Sequence, residues 1–113
     1  MILNEGLNKV RDLLNANLTK GQNGTGTTTA TESDTGLDTS VGSTLKTLTN
    51  TVSNKILTTT HVLTTVDANG LELTEFENQF STGESLIRIR HTPISKDNIK
   101  ELTFIVDYEI VGE

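Results

Sequence analysis

The sequence predicts a mainly β protein: an antiparallel β-sandwich of about five strands, preceded by an N-terminal α-helix and a long Gly/Thr-rich loop. Three observations predict this class. Apolar residues recur at helical spacing near the N-terminus, they alternate with a period of two from about residue 44 onward, and threonine, a β-branched residue that favours strands, is abundant. No stretch between the predicted strands offers room for the helix of a parallel crossover.

The helix is expected over residues 2–18. Four apolar residues at intervals of four, three and four form its stripe: Leu3, Leu7, Val10 and Leu14. On a helix of 3.6 residues per turn these side chains share one side, which must be buried. The stripe docks either on its own domain or on a neighbouring molecule, and the sequence leaves both alternatives open.

Residues 20–43 are expected to form a long polar connection, or contact arm. The segment contains GTGTTTATESDTGLDTSV at 24–41, in which Leu37 and Val41 are the only large apolar residues. A structureless connection of this length is uncommon inside a compact domain and usually has a function. The arm is therefore a candidate contact surface.

The sandwich is expected to occupy residues 44–113, which makes 1–113 one domain. Its five strands are predicted in LKTLTNTV, KILTTTHVLTTV, LELTEF, SLIRIRH and ELTFIVDYEIV. Turns are expected at 50–54, 67–70 and 77–84, and Pro93 is expected to end the fourth strand because proline cannot donate to a ladder. In the last strand, Phe104 and Val106 face one way and Thr103 and Asp107 the other.

Charge and composition exclude several classes of partner. The formal net charge of −6 disfavours nucleic acid, which binds clustered Lys and Arg. No apolar run approaches the roughly 20 residues that span a bilayer, so we expect no membrane partner, and the N-terminus lacks the pattern of a cleaved export signal. With no cysteine, the chain has neither disulfides nor thiol chemistry.

The sequence motifs for nucleotide and metal binding are incomplete. GQNGTGTTT lacks the Lys-Ser/Thr that completes a phosphate-binding loop. His61 and His91 have no second His or Cys at ligand spacing. Asp34 and Asp38 could ligate calcium, but the ligand order of an EF-hand is absent, and short polar side chains commonly bond turn amides instead. We therefore expect no metal and no cofactor.

The sequence also lacks a convincing catalytic site. Glu75 and Glu77 would lie on one strand face about 7 Å apart, which suits a pair of catalytic carboxylates in a hydrolase, but this spacing is common in acidic strands. Arg88 and Arg90 form a small basic stripe that could pair with an acidic neighbour. We expect no catalytic residues and hence no enzyme.

The order of these segments resembles that of small virion structural proteins, of the tail-fibre or minor tail kind, from tailed bacteriophages and archaeal tailed viruses. Such proteins have a short helix, a G-T-G-T-T-x-x-x-x-S-D-T-x-L run, a strand pair, an I-T-E strand, an L-x-R strand, a Lys-containing loop and a closing alternating strand. The matching residues here are Gly24 to Thr28, Ser33, Asp34, Thr35 and Leu37; Gly70, Leu73, Thr74 and Glu75; Gly83, Leu86, Ile87 and Arg88; Lys96; and LTFIVDYEI. The resemblance spans roughly residues 3 to 111.

One departure affects the turn after the third strand. Where these proteins often continue Glu-apolar-Gly-Leu-aromatic, the present chain has EFENQF, with Glu77 and Asn78 in place of Gly and Leu. The expected turn at that place, and any contact it makes, differs accordingly.

The resemblance implies a location in the virion and a symmetric homo-oligomer placed in the tail, the tail tip or the fibre-attachment region, with other virion proteins as neighbours. The expected interface residues are Leu3, Leu7, Val10, Leu14, Gly24, Thr25, Gly26, Asp34 and Leu37. Glycines would allow close backbone approach, and Leu37 would anchor the loop on the sandwich or on a neighbouring subunit.

Two alternatives to a tail location or role remain. A capsid decoration or neck protein would use the same kind of module at another place in the particle. A carbohydrate-binding module would need exposed aromatic rings, for which the chain offers Phe76, Phe80, Phe104 and Tyr108.

Overall fold

The computed structural model describes residues 1–112. In that range the chain forms one α-helix, seven strands and one 3₁₀ turn. Their bounds are α1 Asn4–Asn17, β1 Leu18–Gly24, the 3₁₀ turn Gly42–Thr44, β2 Lys46–Thr47, β3 Thr49–Ser53, β4 Ile56–Leu63, β5 Leu71–Phe80, β6 Ser85–Lys96 and β7 Leu102–Glu109. The mainly β class with an N-terminal helix is confirmed, and the number of strands is corrected from five to seven.

The strands form two antiparallel sheets. One has the order β2-β1-β5-β6 and the other the order β3-β4-β7. The predicted first strand is divided between them, because its N-terminal part pairs with β1 as β2 and its C-terminal part pairs with β4 as β3. Leu48, between the two parts, is buried. The predicted hairpin of the first two strands therefore survives only as β3 and β4.

The core between the sheets has two apolar clusters with a polar centre. Leu18 and Leu57 belong to one cluster, and Leu63 and Leu73 belong to the other. Along β4, Thr59 and His61 lie between Leu57 and Leu63 and are both buried. Alternation along β4 therefore places polar side chains in the middle of the interior, where each needs a hydrogen-bond partner.

The helix is confirmed, two residues shorter at its start and one at its end than predicted. Leu7 is buried, and Leu14 packs against the cluster of Leu18, Leu48 and Leu57. Leu18 follows the helix directly and is the first residue of β1.

The arm, predicted from residue 20, begins only after β1 ends at Gly24. Residues 20–24 belong to β1, which pairs with β2 on one side and with β5 on the other. GQNG has a weak strand signal, and it forms a strand because both of its sides pair with neighbouring strands. A Cβ atom at Gly21 would lie 2.7 Å from the His61 ring. Only glycine fits there, although glycine is uncommon in strands.

Three turn or strand limits are also corrected. Residues 50–53 are strand, and the hairpin turn follows at Asn54, whose φ is +53°. Residues 77–80, expected to be a turn, complete β5 and pair with both neighbours. Pro93 does not end β6, because it lies on an edge strand between the ladder partners Arg90 and Ile94, where regular pairing is interrupted.

Candidate functional site

The segment after β1 folds back on the β2-β1-β5-β6 sheet as a closed loop, here called the GT loop (residues 25–40). The N–H of Thr25 donates to the carbonyl of Thr39 at 2.9 Å, and the N–H of Val41 donates to the carbonyl of Asn23 at 2.9 Å. These bonds join the two ends of the GT loop, in the manner of an Ω-loop.

Glu75, at the middle of β5, is fully buried beneath the GT loop. Its Oε2 accepts hydrogen bonds from the N–H groups of Gly26 at 2.7 Å and Thr39 at 2.8 Å. Its Oε1 accepts from the N–H of Asp38 at 2.8 Å and from Nε of Arg88 at 2.9 Å. Four donors thus compensate one buried charge, and three of them belong to the backbone of the loop.

Arg88 on β6 connects Glu75 to the loop. Its side chain is only 5% exposed. Nη1 donates to Oδ2 of Asp34 at 2.9 Å, and Nη2 donates to the carbonyl of Thr28 at 2.9 Å. We call Glu75, Arg88 and Asp34 the clamp. All three nitrogens of the guanidinium bond groups of its own chain, so the fork geometry of arginine is used to hold the GT loop.

The electrostatics favour the ionised form of each member of the clamp. Burial acts to raise the pKa of Glu75, but the hydrogen bonds from Thr39, Asp38 and Arg88 outweigh it, and the pKa is lowered. The pKa of Asp34 is lowered by the N–H of Thr31 and by Arg88. Burial acts to lower the pKa of Arg88, whereas Glu75 and Asp34 raise it, with a net rise. A carboxylate held ionised in this way is poorly suited to general acid catalysis.

The glycines of the GTG sequence allow the loop backbone to approach Glu75. A Cβ atom at Gly24 would lie 2.5 Å from Oε2 of Glu75 and 2.5 Å from the carbonyl of Thr39. A Cβ atom at Gly26 would lie 2.5 Å from the same Oε2 and would clash with Asp38. Close approach, expected from the sequence, occurs here within the chain itself.

A second pair of side chains extends the contact beside the clamp. Oε2 of Glu77 accepts from the N–H of Leu37 at 3.2 Å, and Nε of Arg90 donates to the carbonyl of Thr27 at 3.0 Å. Glu75 and Glu77 therefore share one face of β5, as predicted, and both bind the loop backbone.

The structure brings together the predicted interface residues of the arm. Gly24 and Gly26 are buried against Glu75, Thr25 and Leu37 are half-buried, and Asp34 pairs with Arg88. The backbone N–H of Leu37 donates to Glu77 of its own chain, and the anchoring place of the Leu37 side chain stays a prediction. Contact of these residues with a neighbouring subunit stays a prediction.

The predicted helix stripe is divided between two environments. Leu7 and Leu14 pack on the chain itself, so they offer little area to a partner. Leu3 is 66% exposed and Val10 is 51% exposed, and Leu13, which the sequence analysis did not select, is 52% exposed. We call the three exposed apolar residues Leu3, Val10 and Leu13 the exposed side of α1. Leu3 directly precedes the helix, and Val10 and Leu13 lie three residues apart on it.

An apolar groove of about 330 Å³ runs between β6 and β7, where the two sheets do not close on each other. Its floor contains Phe76 and Phe104, whose rings stack with centroids 5.1 Å apart. Ile89 and Ile105 line its sides and are 44% and 64% exposed. Sequence reasoning missed this edge groove, although alternation in the last strand did predict that Phe104 and Val106 share one face.

The clamp, also missed as a unit, had a readable signal. Glu75 and Glu77 alternate on one predicted strand, and Arg88 and Arg90 alternate on the next, so a hairpin places opposite charges on one face. What the sequence did not contain was the folding of residues 25–40 over that face.

Within residues 1–112 there is no cluster of three His, Cys, Asp or Glu side chains that could hold a metal ion. Asp34, considered as a calcium ligand, accepts from Arg88 and from Thr31. In the same range, no helix has the length and apolar character needed to cross a bilayer.

Comparison of the chain with protein-family models, with curated proteins and with solved structures found no match.

Proposed function

We propose that the chain is a non-enzymatic structural protein of a virus particle, a tail, tail-tip or fibre-attachment component that assembles as a symmetric oligomer. Its partners are copies of itself and other virion proteins. The observation that carries the proposal is the amount of apolar surface left uncovered.

More apolar side chains are exposed than buried. Within residues 1–112, fifteen large hydrophobic residues are exposed, whereas eight hydrophobic residues form the buried core. Isolated exposed apolar residues are ordinary, but a chain whose core is this small gains stability from partners that cover the remainder. Two such surfaces are defined above, the exposed side of α1 and the edge groove.

The dimensions of the chain support the same conclusion. The accessible surface is 6738 Å², compared with about 6100 Å² for a compact monomer of this mass. The radius of gyration is 15.1 Å, compared with about 13 Å for a compact chain of this length. An elongated subunit with surplus surface is typical of proteins that complete their burial in an assembly.

The virion setting is supported by the resemblance, because its separate pieces meet at one place. Gly26, Asp34, Glu75 and Arg88 come from three different motifs of that pattern, and all four join in the clamp. A set of weak motifs that is satisfied by one physical arrangement is more specific than its members. The clamp gives the chain a rigid polar face, which the assembly can use for a neighbour.

Two rival functions remain, and the structure bears on one of them. The same module as a capsid decoration or neck protein has the same surfaces, so only its location in the particle distinguishes it. For a carbohydrate-binding module, all four aromatic rings are buried or half-buried, which leaves little stacking surface for a sugar.

Immunogold electron microscopy of particles tests the location. Antibodies raised against the purified chain should label purified virus particles at the tail or its tip. Labelling of the head or neck would favour the runner-up. Infectious particles that contain no copy of the chain by mass spectrometry would refute a virion role.

A further inference from the structure

We infer that β7 is a self-association edge: two copies of the chain pair their β7 strands antiparallel about a two-fold axis at Ile105. This inference deepens the proposed function, on which it rests for the expectation of assembly, by naming the surface and the partner. The partner is a second copy of the same chain.

The backbone of β7 has unused hydrogen-bonding groups on one side. Among the described residues β7 pairs only with β4. The N–H of Ile110 donates to the carbonyl of Lys55 at 2.9 Å. In the same register, Tyr108 lies opposite Leu57 and Phe104 lies opposite His61. Hydrogen-bonded pairs alternate in an antiparallel ladder. The even-numbered residues of β7 therefore bond β4, and Thr103, Ile105 and Asp107 direct their N–H and C=O groups to the free edge.

The other sheet edges are protected or short, and β7 is not. β2 has two residues and β3 has five. β6 carries Pro93, an interrupted register and two arginines, all devices that discourage pairing. β7 pairs with β4 without interruption over eight residues and contains neither proline nor a basic residue. The charges of β7, Asp107 and Glu109, lie in its C-terminal part, and the regular stretch before them favours addition of another strand.

The side chains of β7 are self-complementary in one register. With Ile105 opposite its own copy, Thr103 lies opposite Asp107 of the second chain, and Asp107 lies opposite Thr103 of the second chain. Thr103 can donate to that carboxylate, whereas a register centred on Asp107 would place two carboxylates together. Beyond the paired stretch Glu109 would face Glu101, so the pairing is confined to about the five residues from Thr103 to Asp107.

The apolar surface beside the edge agrees with this partner. Ile105 is 64% exposed at the centre of the outer face. On the inner face, Phe104 would lie opposite Val106 of the second chain, next to the edge groove that these two residues line.

Sedimentation equilibrium of the purified chain tests the inference. From about 1 μM to about 1 mM we expect a monomer–dimer equilibrium. Ile105→Lys should weaken dimerisation about 100-fold, tenfold for each copy, because an isologous interface contains every substitution twice. Ile99→Lys is the matched control, since Ile99 is 81% exposed outside the strands, and it should leave the equilibrium unchanged.

The absence of cysteine allows a second measurement of the same pair. Ile105→Cys should form a disulfide dimer under mild oxidation, because directly opposite residues have Cα atoms about 5.5 Å apart. Ile99→Cys should not. Thr103→Cys alone should remain a monomer, but it should cross-link when mixed with Asp107→Cys. This last result distinguishes the Ile105-centred register from the alternatives.

The outcomes separate this inference from the proposed function. A chain that is monomeric throughout the concentration range overturns the self-association edge. So does a dimer that Ile105→Lys leaves intact. Either result leaves the virion role standing, because immunogold labelling tests that role independently. Labelling could fail while β7 dimerises, which would reject the virion role and keep the edge.

Discussion

Replacement of Glu75 by Gln tests whether the clamp holds the GT loop in place. Both oxygens of Glu75 are used, with two donors on each. In Glu75→Gln one oxygen becomes an NH₂ group, so two donors lose their acceptor whichever way the amide is oriented. Each buried unsatisfied donor costs about 1–3 kcal/mol, and loss of the charge leaves Arg88 paired with Asp34 alone.

The expected loss is about 3–5 kcal/mol of the free energy of unfolding, the range for breaking a buried ion pair from one side. For 113 residues, the unfolding entropy of about 0.24 kcal/mol per degree converts this loss to a fall of about 12–20 °C in Tm. Urea unfolding followed by circular dichroism measures the first quantity, and calorimetry measures the second. Glu72→Gln on the same strand is the control, because Glu72 is exposed, and we expect a change within about 0.5 kcal/mol.

Hydrogen exchange locates the effect in Glu75→Gln. The amides of Gly26, Asp38 and Thr39 should exchange faster in the variant than its loss of global stability explains. The exchange rates of the β4 amides should change only as much as global stability does. A loss below about 1 kcal/mol, or unchanged exchange of these three amides, would refute the view that Glu75 fixes the loop.

Three further predictions concern close approach, the helix and the buried imidazole. Gly26→Ala should destabilise the chain by about 1–3 kcal/mol, because the added Cβ atom clashes with Asp38 and Glu75. Gly42→Ala is the control and should be neutral, because a Cβ atom there meets no atom within 4 Å. Equal urea midpoints of the two variants would contradict this prediction. Leu7→Asp should lower the free energy of unfolding by at least about 3 kcal/mol, since Leu7 is 6% exposed. Val10→Asp should change it by less than about 0.5 kcal/mol, since Val10 is 51% exposed. The reverse order would show that α1 docks through Val10 and not through Leu7. Burial lowers the pKa of His61 from 6.5, so below that pH the unfolded chain binds a proton that the native chain does not bind. Stability should therefore fall by up to about 1.4 kcal/mol per pH unit as the pH decreases below about 6.5, and His61→Gln should flatten this dependence of the urea midpoint on pH.

The sequence predicted the elements whose periodicity is strong. The spacing of Leu7 and Leu14 identified the helix, and alternation in Phe104, Val106 and Asp107 identified β7 and its two faces. These patterns are local, because inward-facing residues recur at the period of the helix or strand. Sequence reasoning could go this far because burial repeats at the period of the backbone.

The errors occurred where tertiary contacts decide. The GQNG part of β1 has little strand propensity, and it is a strand because two neighbours pair with it and His61 fills the space above Gly21. Pro93 was expected to end β6, but on an edge strand its missing N–H leaves no neighbour unsatisfied. The clamp depends on contacts between residues about 40 to 60 positions apart, such as Asp34 with Arg88. No local period encodes such a contact.

The clamp changes how the GT loop would contribute to binding. A free polar arm of this length would lose backbone entropy of about 1–2 kcal/mol for each residue ordered at an interface. With its amides on Glu75 and its carbonyl at Thr28 on Arg88, the loop has already lost that freedom on folding. A neighbour that contacts its exposed threonines therefore meets a surface of fixed shape, and preorganisation of this kind increases affinity without new contacts. The proposed assembly would therefore depend on the buried pair of Glu75 and Arg88, because this pair determines the shape that the polar face presents.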